Sequence, residues 1–195
     1  LRQAWASIKN RQSITLFVLT LLTFVILYGA YLTYLPFLME NAFQASPLTI
    51  GITMSGMSLA TALTSSQLGR LVSLCSEKML LQIACGFYAL ALLMIPLAPN
   101  LLVLAIPVVL FGVAQGLSIP NLQTLLASLA PIEYRGAFLS VNGLVLRLGQ
   151  TLGPPLMGVA SSAGGIDTTF YSSAAIAAAM FVLTATTIKK RRTIQ

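Results

Sequence analysis

Apolar residues in this chain fall into six long runs, separated by short polar segments. The runs cover about residues 14–38, 48–68, 79–97, 101–126, 137–161 and 170–188. A helix rises about 1.5 Å per residue, so about 20 apolar residues cross a hydrocarbon core roughly 30 Å thick. Each run therefore predicts one membrane-crossing helix, and the chain reads as an all-α membrane protein. The runs differ in their polar content. In the first, Thr20, Thr23, Leu27, Tyr31 and Tyr34 fall at helical spacing, which gives that helix one more polar face. The second is dense in small and hydroxyl residues, among them Gly51, Ser55, Gly56, Ser58, Thr61, Ser65 and Ser66. Small residues let helix backbones approach in lipid, so this helix is expected in the interior. The third and sixth runs are plainer and are expected at the periphery. Pro107 and Pro120 interrupt the fourth, with Gly112, Gln115 and Gly116 between them. The fifth holds Arg147, Gln150 and the run Gly149-Gln150-Thr151-Leu152-Gly153-Pro154-Pro155. Proline removes an intrahelical hydrogen bond, so both helices are expected to be irregular and covered by protein or a water-filled cavity. Two polar or broken runs followed by a plain one, twice over, is the pattern of two three-helix repeats of inverted topology.

Charge fixes the orientation. Ten of the eleven basic residues lie before the first run (Arg2, Lys9, Arg11), between the second and third (Arg70, Lys78), between the fourth and fifth (Arg135) or after the sixth (Lys189, Lys190, Arg191, Arg192). If all six runs cross, these segments share one side. The opposite connections carry Glu40 and Asp167 and no basic residue. By the positive-inside rule both termini are expected in the cytoplasm of a multi-pass cell-membrane protein. The chain then divides into a cytoplasmic lead-in (1–13), a six-span bundle (14–188) and a basic tail (189–195).

Composition narrows the chemistry. The chain is 57% hydrophobic and 8% charged, with a mean hydropathy of +0.89, where soluble domains are roughly one quarter charged. The net charge of +7 sits in short loops beside apolar runs, where it faces lipid headgroups, so a bilayer and not a nucleic acid is the expected partner. There is no histidine, and Cys75 and Cys85 match no metal spacing, so no enzyme, metal site or cofactor is indicated. No signal-peptide pattern opens the chain, which begins at Leu1; a longer polypeptide is expected.

Arg147 lies about mid-depth in its run, where an arginine costs about 2.5–3.5 kcal/mol to insert. It either lines a cavity and meets substrate or a carboxylate, or it bonds to backbone carbonyls. Gln150, Gln115 and Asn121 are candidates to bind a neutral solute, or bonds between helices. Tyr31 is a cavity wall or an interface anchor. With these five, the candidate substrate pathway is Arg147, Gln150, Gln115, Tyr31 and Asn121. Gly69, Gly149, Gly153, Pro154 and Gly158 are expected to serve packing and hinging. No acidic residue lies mid-membrane, so a proton-coupling group would sit outside this chain.

The chain also resembles a known family over nearly its whole length. Tyr34-Leu35-Pro36-Phe37-Leu38 and Pro47 to Gly51 resemble the end of helix seven and the start of helix eight in the major facilitator superfamily. Gln67-Leu68-Gly69-Arg70-Leu71, with Glu77-Lys78, resembles its G-x-L-x-D-x-x-G-[RK]-[RK] loop, although Ser73 and Ser76 replace the Asp and the second Gly. Ala130-Pro131-Ile132-Glu133-Tyr134-Arg135-Gly136 resembles the loop between helices ten and eleven. Gly149, Gly153, Pro154 and Gly158 resemble the antiporter motif G-x-x-x-G-P-x-x-G-G, with Met157 at the first of its last two glycines. The resemblance implies the C-terminal six-helix half of a secondary transporter. It also implies an N-terminal six-helix half as partner, a small organic solute as substrate, and efflux by antiport. A half-size carrier acting as a homodimer, and a non-transporting membrane scaffold or remnant, are the competing readings.

Overall fold

The computed structural model describes residues 10–130 and 132–188. The lead-in's residues 1–9, the basic tail 189–195 and Pro131 lie outside it. All the described elements are helical. Six long helices follow one another: α1 (Arg11–Phe43), α2 (Pro47–Leu74), α3 (Glu77–Met94), α4 (Leu101–Leu129), α5 (Arg135–Gly164) and α6 (Ile166–Thr187). Short 3₁₀ turns extend α3 (Ile95–Leu97) and precede α5 (Ile132–Tyr134). Five of the six are long and apolar enough to cross a bilayer; α5, with Arg147 and Gln150, is the exception.

The helix starts follow from local chemistry. Ser46 and Ser76 accept hydrogen bonds from the backbone N–H of Thr49 and Met79, each at 3.3 Å, and Asn100 accepts one from Val103 at 2.9 Å. These side chains satisfy amides that have no carbonyl partner in the first turn. Pro47 follows its cap in the first turn, where a missing N–H breaks no intrahelical hydrogen bond. Gln44 (φ 51°) and Gly165 (φ 83°) turn the chain in the left-handed region after α1 and α5. The helices overrun the apolar runs at several ends; α1, for example, passes Pro36 and stops only at Phe43.

Neither pair of internal prolines breaks its helix. α4 is continuous through Pro107 and Pro120, and α5 through Pro154 and Pro155. The irregularity is in α1, where Ile26–Tyr34 is a π-helical segment. There the Thr33 hydroxyl donates to the carbonyl of Tyr28, five residues back, at 2.7 Å.

The helices pack as two intimate pairs joined by α3 and α6. α5 lies along α1, α4 lies along α2, and α3 is wedged between α4 and α6. Two sequence expectations change here. α2 is not interior within this chain: Met57 is its only buried residue, and most of its surface is uncovered. Its small residues provide one flat face for α4, and no described residue covers most of the rest. α3 is not simply lipid-facing either. Leu81, Ala84, Cys85, Tyr88, Ala91 and Leu92 are buried, while Leu90 and Leu93 are exposed. An apolar residue suits lipid and protein interior equally, so hydropathy alone does not separate the two faces.

Candidate translocation surface

Glycine sets the spacing of both close pairs. A Cβ on Gly149 would lie 2.6 Å from the carbonyl oxygen of Leu21, and one on Gly153 would lie 2.8 Å from the amide nitrogen of Gly29. The backbones of α5 and α1 are therefore in direct contact. In the other pair a Cβ on Gly112 would lie 2.5 Å from the Met57 oxygen, and one on Gly116 would lie 2.7 Å from the Thr61 oxygen. At that contact Thr61 and Ser65 donate hydroxyl hydrogen bonds to the carbonyls of Gly112 (3.0 Å) and Gly116 (3.3 Å). Small residues bring the backbones together and hydroxyls bond across the seam, as expected where lipid removes any hydrophobic drive between helices.

The contacts also give directions. Along α5, Gly149 meets Leu21 and Phe24, and Gly153 meets Val25 and Gly29; the two helices run parallel. Along α4, Gly112 meets Met57 and Ala60, and Gly116 meets Thr61 and Thr64; these are parallel as well. α3 opposes α4 and α6, because Asn121 near the end of α4 donates to the Glu77 carbonyl at 2.8 Å. Lys78 likewise reaches the Ala185 carbonyl near the end of α6, at 2.7 Å. The Lys78 ammonium thus sits at the negative end of the α6 dipole.

Of the residues singled out in the sequence, Gln115, Tyr31 and Asn121 face inward. The Tyr88 hydroxyl donates to the Gln115 side-chain oxygen. Tyr31, fully buried, stacks on Phe111 with ring centroids 4.4 Å apart, and Tyr88 meets the same ring edge-on at 5.0 Å. These residues form one cluster that ties α1, α3 and α4 together. Asn121 is separate and anchors the start of α3. Arg147 is exposed, and Gln150, in the next turn of α5, is half-buried. The five residues therefore do not converge on one point: three belong to the helix interior and two to α5.

The glycines separate in the same way. Gly149 and Gly153 are close-contact sites. A Cβ on Gly158 would meet the Tyr34 hydroxyl at 3.4 Å, an ordinary contact, and one on Gly69 would meet no described residue within 4 Å. Pro154 is half-buried beside Gly153.

Asn142, which the sequence reading passed over, is 5% exposed on α5, and its side-chain oxygen has no hydrogen-bond partner. Its place belongs to a pattern that appears once burial is known. Phe138, Asn142, Gly149, Gly153 and Met157 are the buried residues of α5, and they recur at spacings of four and seven. That is one helix face.

Glu77 and Asp167 lie in first helical turns, Glu40 lies near the end of α1 and Glu133 lies in the turn before α5. All the carboxylates thus lie at helix ends or in the turn between helices.

No curated protein matches the chain at a significant level. The family model of the Major Facilitator Superfamily does match, over residues 16–194, which takes in all six helices. A bundle of long apolar helices matched by that model from the first to the last is an integral membrane transporter domain, and the chain belongs to the Major Facilitator Superfamily.

Proposed function

We propose that this chain is the C-terminal half of a twelve-span secondary transporter that exports a small, weakly polar organic solute by alternating access. The observation that carries the reading is the pairing of the helices. Exchanging α1 with α4, α2 with α5 and α3 with α6 turns the α1–α5 pair into the α4–α2 pair and leaves the α3–α6 contact in place. Two three-helix repeats of opposite topology have this property. On this reading both termini are cytoplasmic, and solute binds near the midplane between this bundle and an N-terminal half.

Arg147 is the first pathway residue, because it is exposed and its one hydrogen bond to a side chain, from the Thr151 hydroxyl at 3.0 Å, falls on its backbone carbonyl and leaves the guanidinium available to solute. It lies about 12 residues, roughly 18 Å, into the 30-residue α5. Gln150 follows on the same helix. Gln115, Tyr31 and Asn121 complete the proposed pathway; in this arrangement they hold neighbouring helices, and they meet solute only when those helices shift. A proton-coupling carboxylate is assigned to the N-terminal half, since the carboxylates here lie at helix ends or between helices. The glycines of α5 and the antiporter-like motif support outward transport.

The test is solute flux in vesicles that contain the complete protein, with internal pH followed by a trapped dye. Solute-dependent proton movement is expected, together with a large loss in Arg147→Ala at normal insertion. Wild-type flux in Arg147→Ala would remove Arg147 from the pathway. Flux with this six-helix chain alone would replace the half-transporter reading with a homodimeric carrier.

A further inference from the structure

We propose that Asn142 holds a single ordered water molecule where α1, α4 and α5 meet. The Asn142 side-chain oxygen is wholly buried without a hydrogen-bond partner. Such a group is costly to leave unpaired, and its usual partner, when protein supplies none, is water. The buried oxygens of Tyr31, Ser118 and Asn121 are also unpartnered, but none of these three residues lines the pocket where α1, α4 and α5 meet. Asn142 does. It shares a small pocket with Thr20 and Phe24 of α1, Leu122 and Gln123 of α4, and Leu146 of α5. The pocket has about 10 Å³ of space for the centre of a water molecule, against the roughly 10–15 Å³ that one water needs.

Size and chemistry exclude other occupants. An organic solute does not fit. A metal cation would find no carboxylate in the lining, only neutral oxygens. Water finds the two to four polar partners that it requires. It donates to the Asn142 oxygen. The Thr20 hydroxyl, which spends its proton on the Leu16 carbonyl at 3.0 Å, keeps lone pairs to accept a second bond. The Gln123 amide is a further donor. The remaining walls, Phe24, Ile119, Leu122 and Leu146, are apolar and offer the water no competing partner. It lies seven residues, about 10 Å, along α5 from the tight contact at Gly149. It ties α5 to α4 as well as to α1.

The complete protein in lipid nanodiscs gives the test. A structure at a resolution that shows solvent is expected to contain one water-sized density within hydrogen-bond distance of Asn142, lost in Asn142→Leu. Pulsed radiolysis in ¹⁸O-water reads the same site independently of map quality, because a bound water labels the side chains beside it. Phe24, buried like Phe111, is expected to label faster than Phe111 and to slow in Asn142→Leu. An empty pocket, Asn142 turned to bond a protein atom, a density too large for water, or Phe24 labelling no faster than Phe111 would each overturn the proposal. The wild-type measurements decide it even if Asn142→Leu does not fold.

Discussion

Replacing Gly153 with Ala tests whether α1 and α5 touch backbone to backbone. The new Cβ would lie 2.8 Å from the Gly29 nitrogen and 2.9 Å from the Val25 oxygen. Comfortable carbon contacts lie near 3.5–4.0 Å, so the helices must part by about half an ångström or more. Both neighbours are backbone atoms, so no rotamer change relieves the clash. Overpacking of this kind costs about 1–3 kcal/mol. Ala also favours the helix by up to about 1 kcal/mol over Gly, which would mask part of the loss. Gly143 supplies the control. It lies on the same helix, and a Cβ there meets nothing within 4 Å. Both substitutions carry the same propensity gain, so their difference isolates the steric cost. A difference of about 2 kcal/mol corresponds to roughly 4–8 °C in melting temperature, at 2–4 °C per kcal/mol for a domain of this size. The assay is thermal unfolding of the detergent-solubilised complete protein, followed by size-exclusion chromatography. Gly153→Ala is expected to melt below Gly143→Ala by that margin. If the two melt together, the close approach of α1 and α5 is wrong.

Two smaller effects follow from the hydrogen bonds. Thr61→Val removes the bond to the Gly112 carbonyl while keeping the side-chain shape, and is expected to cost about 0.6 kcal/mol; combined with Gly112→Ala, which separates the same helices, its cost should vanish in a double-mutant cycle of melting temperatures. Tyr88→Phe leaves the Gln115 oxygen buried without its donor and is expected to cost about 1–3 kcal/mol, whereas Tyr88→Phe with Gln115→Leu should recover part of it. No recovery in the double variant would show that the hydroxyl bond is not what holds the pair.

The elements were largely legible in the sequence, because crossing a bilayer demands a length and a composition that few other structures share. Ser46, Ser76 and Asn100, which cap α2, α3 and α4, stand one to three residues ahead of the apolar runs that start at about 48, 79 and 101. Facing was much less legible. α2 looked interior because small polar residues ring it, yet only the face toward α4 is covered. α3 looked peripheral because Leu, Ala and Ile satisfy lipid and core alike, yet Tyr88 sits in the central aromatic cluster. The same limit applies to the candidate site. Arg147 stood out by its insertion cost. Gln115 and Asn121, by contrast, carry amides whose partners, Tyr88 and the Glu77 carbonyl, lie 27 and 44 residues away. Asn142 was passed over because an isolated amide in an apolar run carries no signal until its neighbours are known.

The π-helical stretch of α1, Ile26–Tyr34, leaves no trace in composition, since it holds no proline and its residues suit an ordinary helix. At its end the Leu35 amide is shared between the carbonyls of Ala30 and Tyr31, so the ladder passes from five-residue to four-residue steps at that point. A turn of this kind stores one more residue than an α-turn of the same height. The segment is therefore a place where chain length can change without changing what the helix presents. Removing a residue there, such as the exposed Leu32, would let the stretch rewind as α-helix while Phe24 below and Leu35 above keep their neighbours. The same deletion in α4 would swing every later side chain by about 100°. Insertions and deletions tolerated along α1 should accordingly gather within these nine residues.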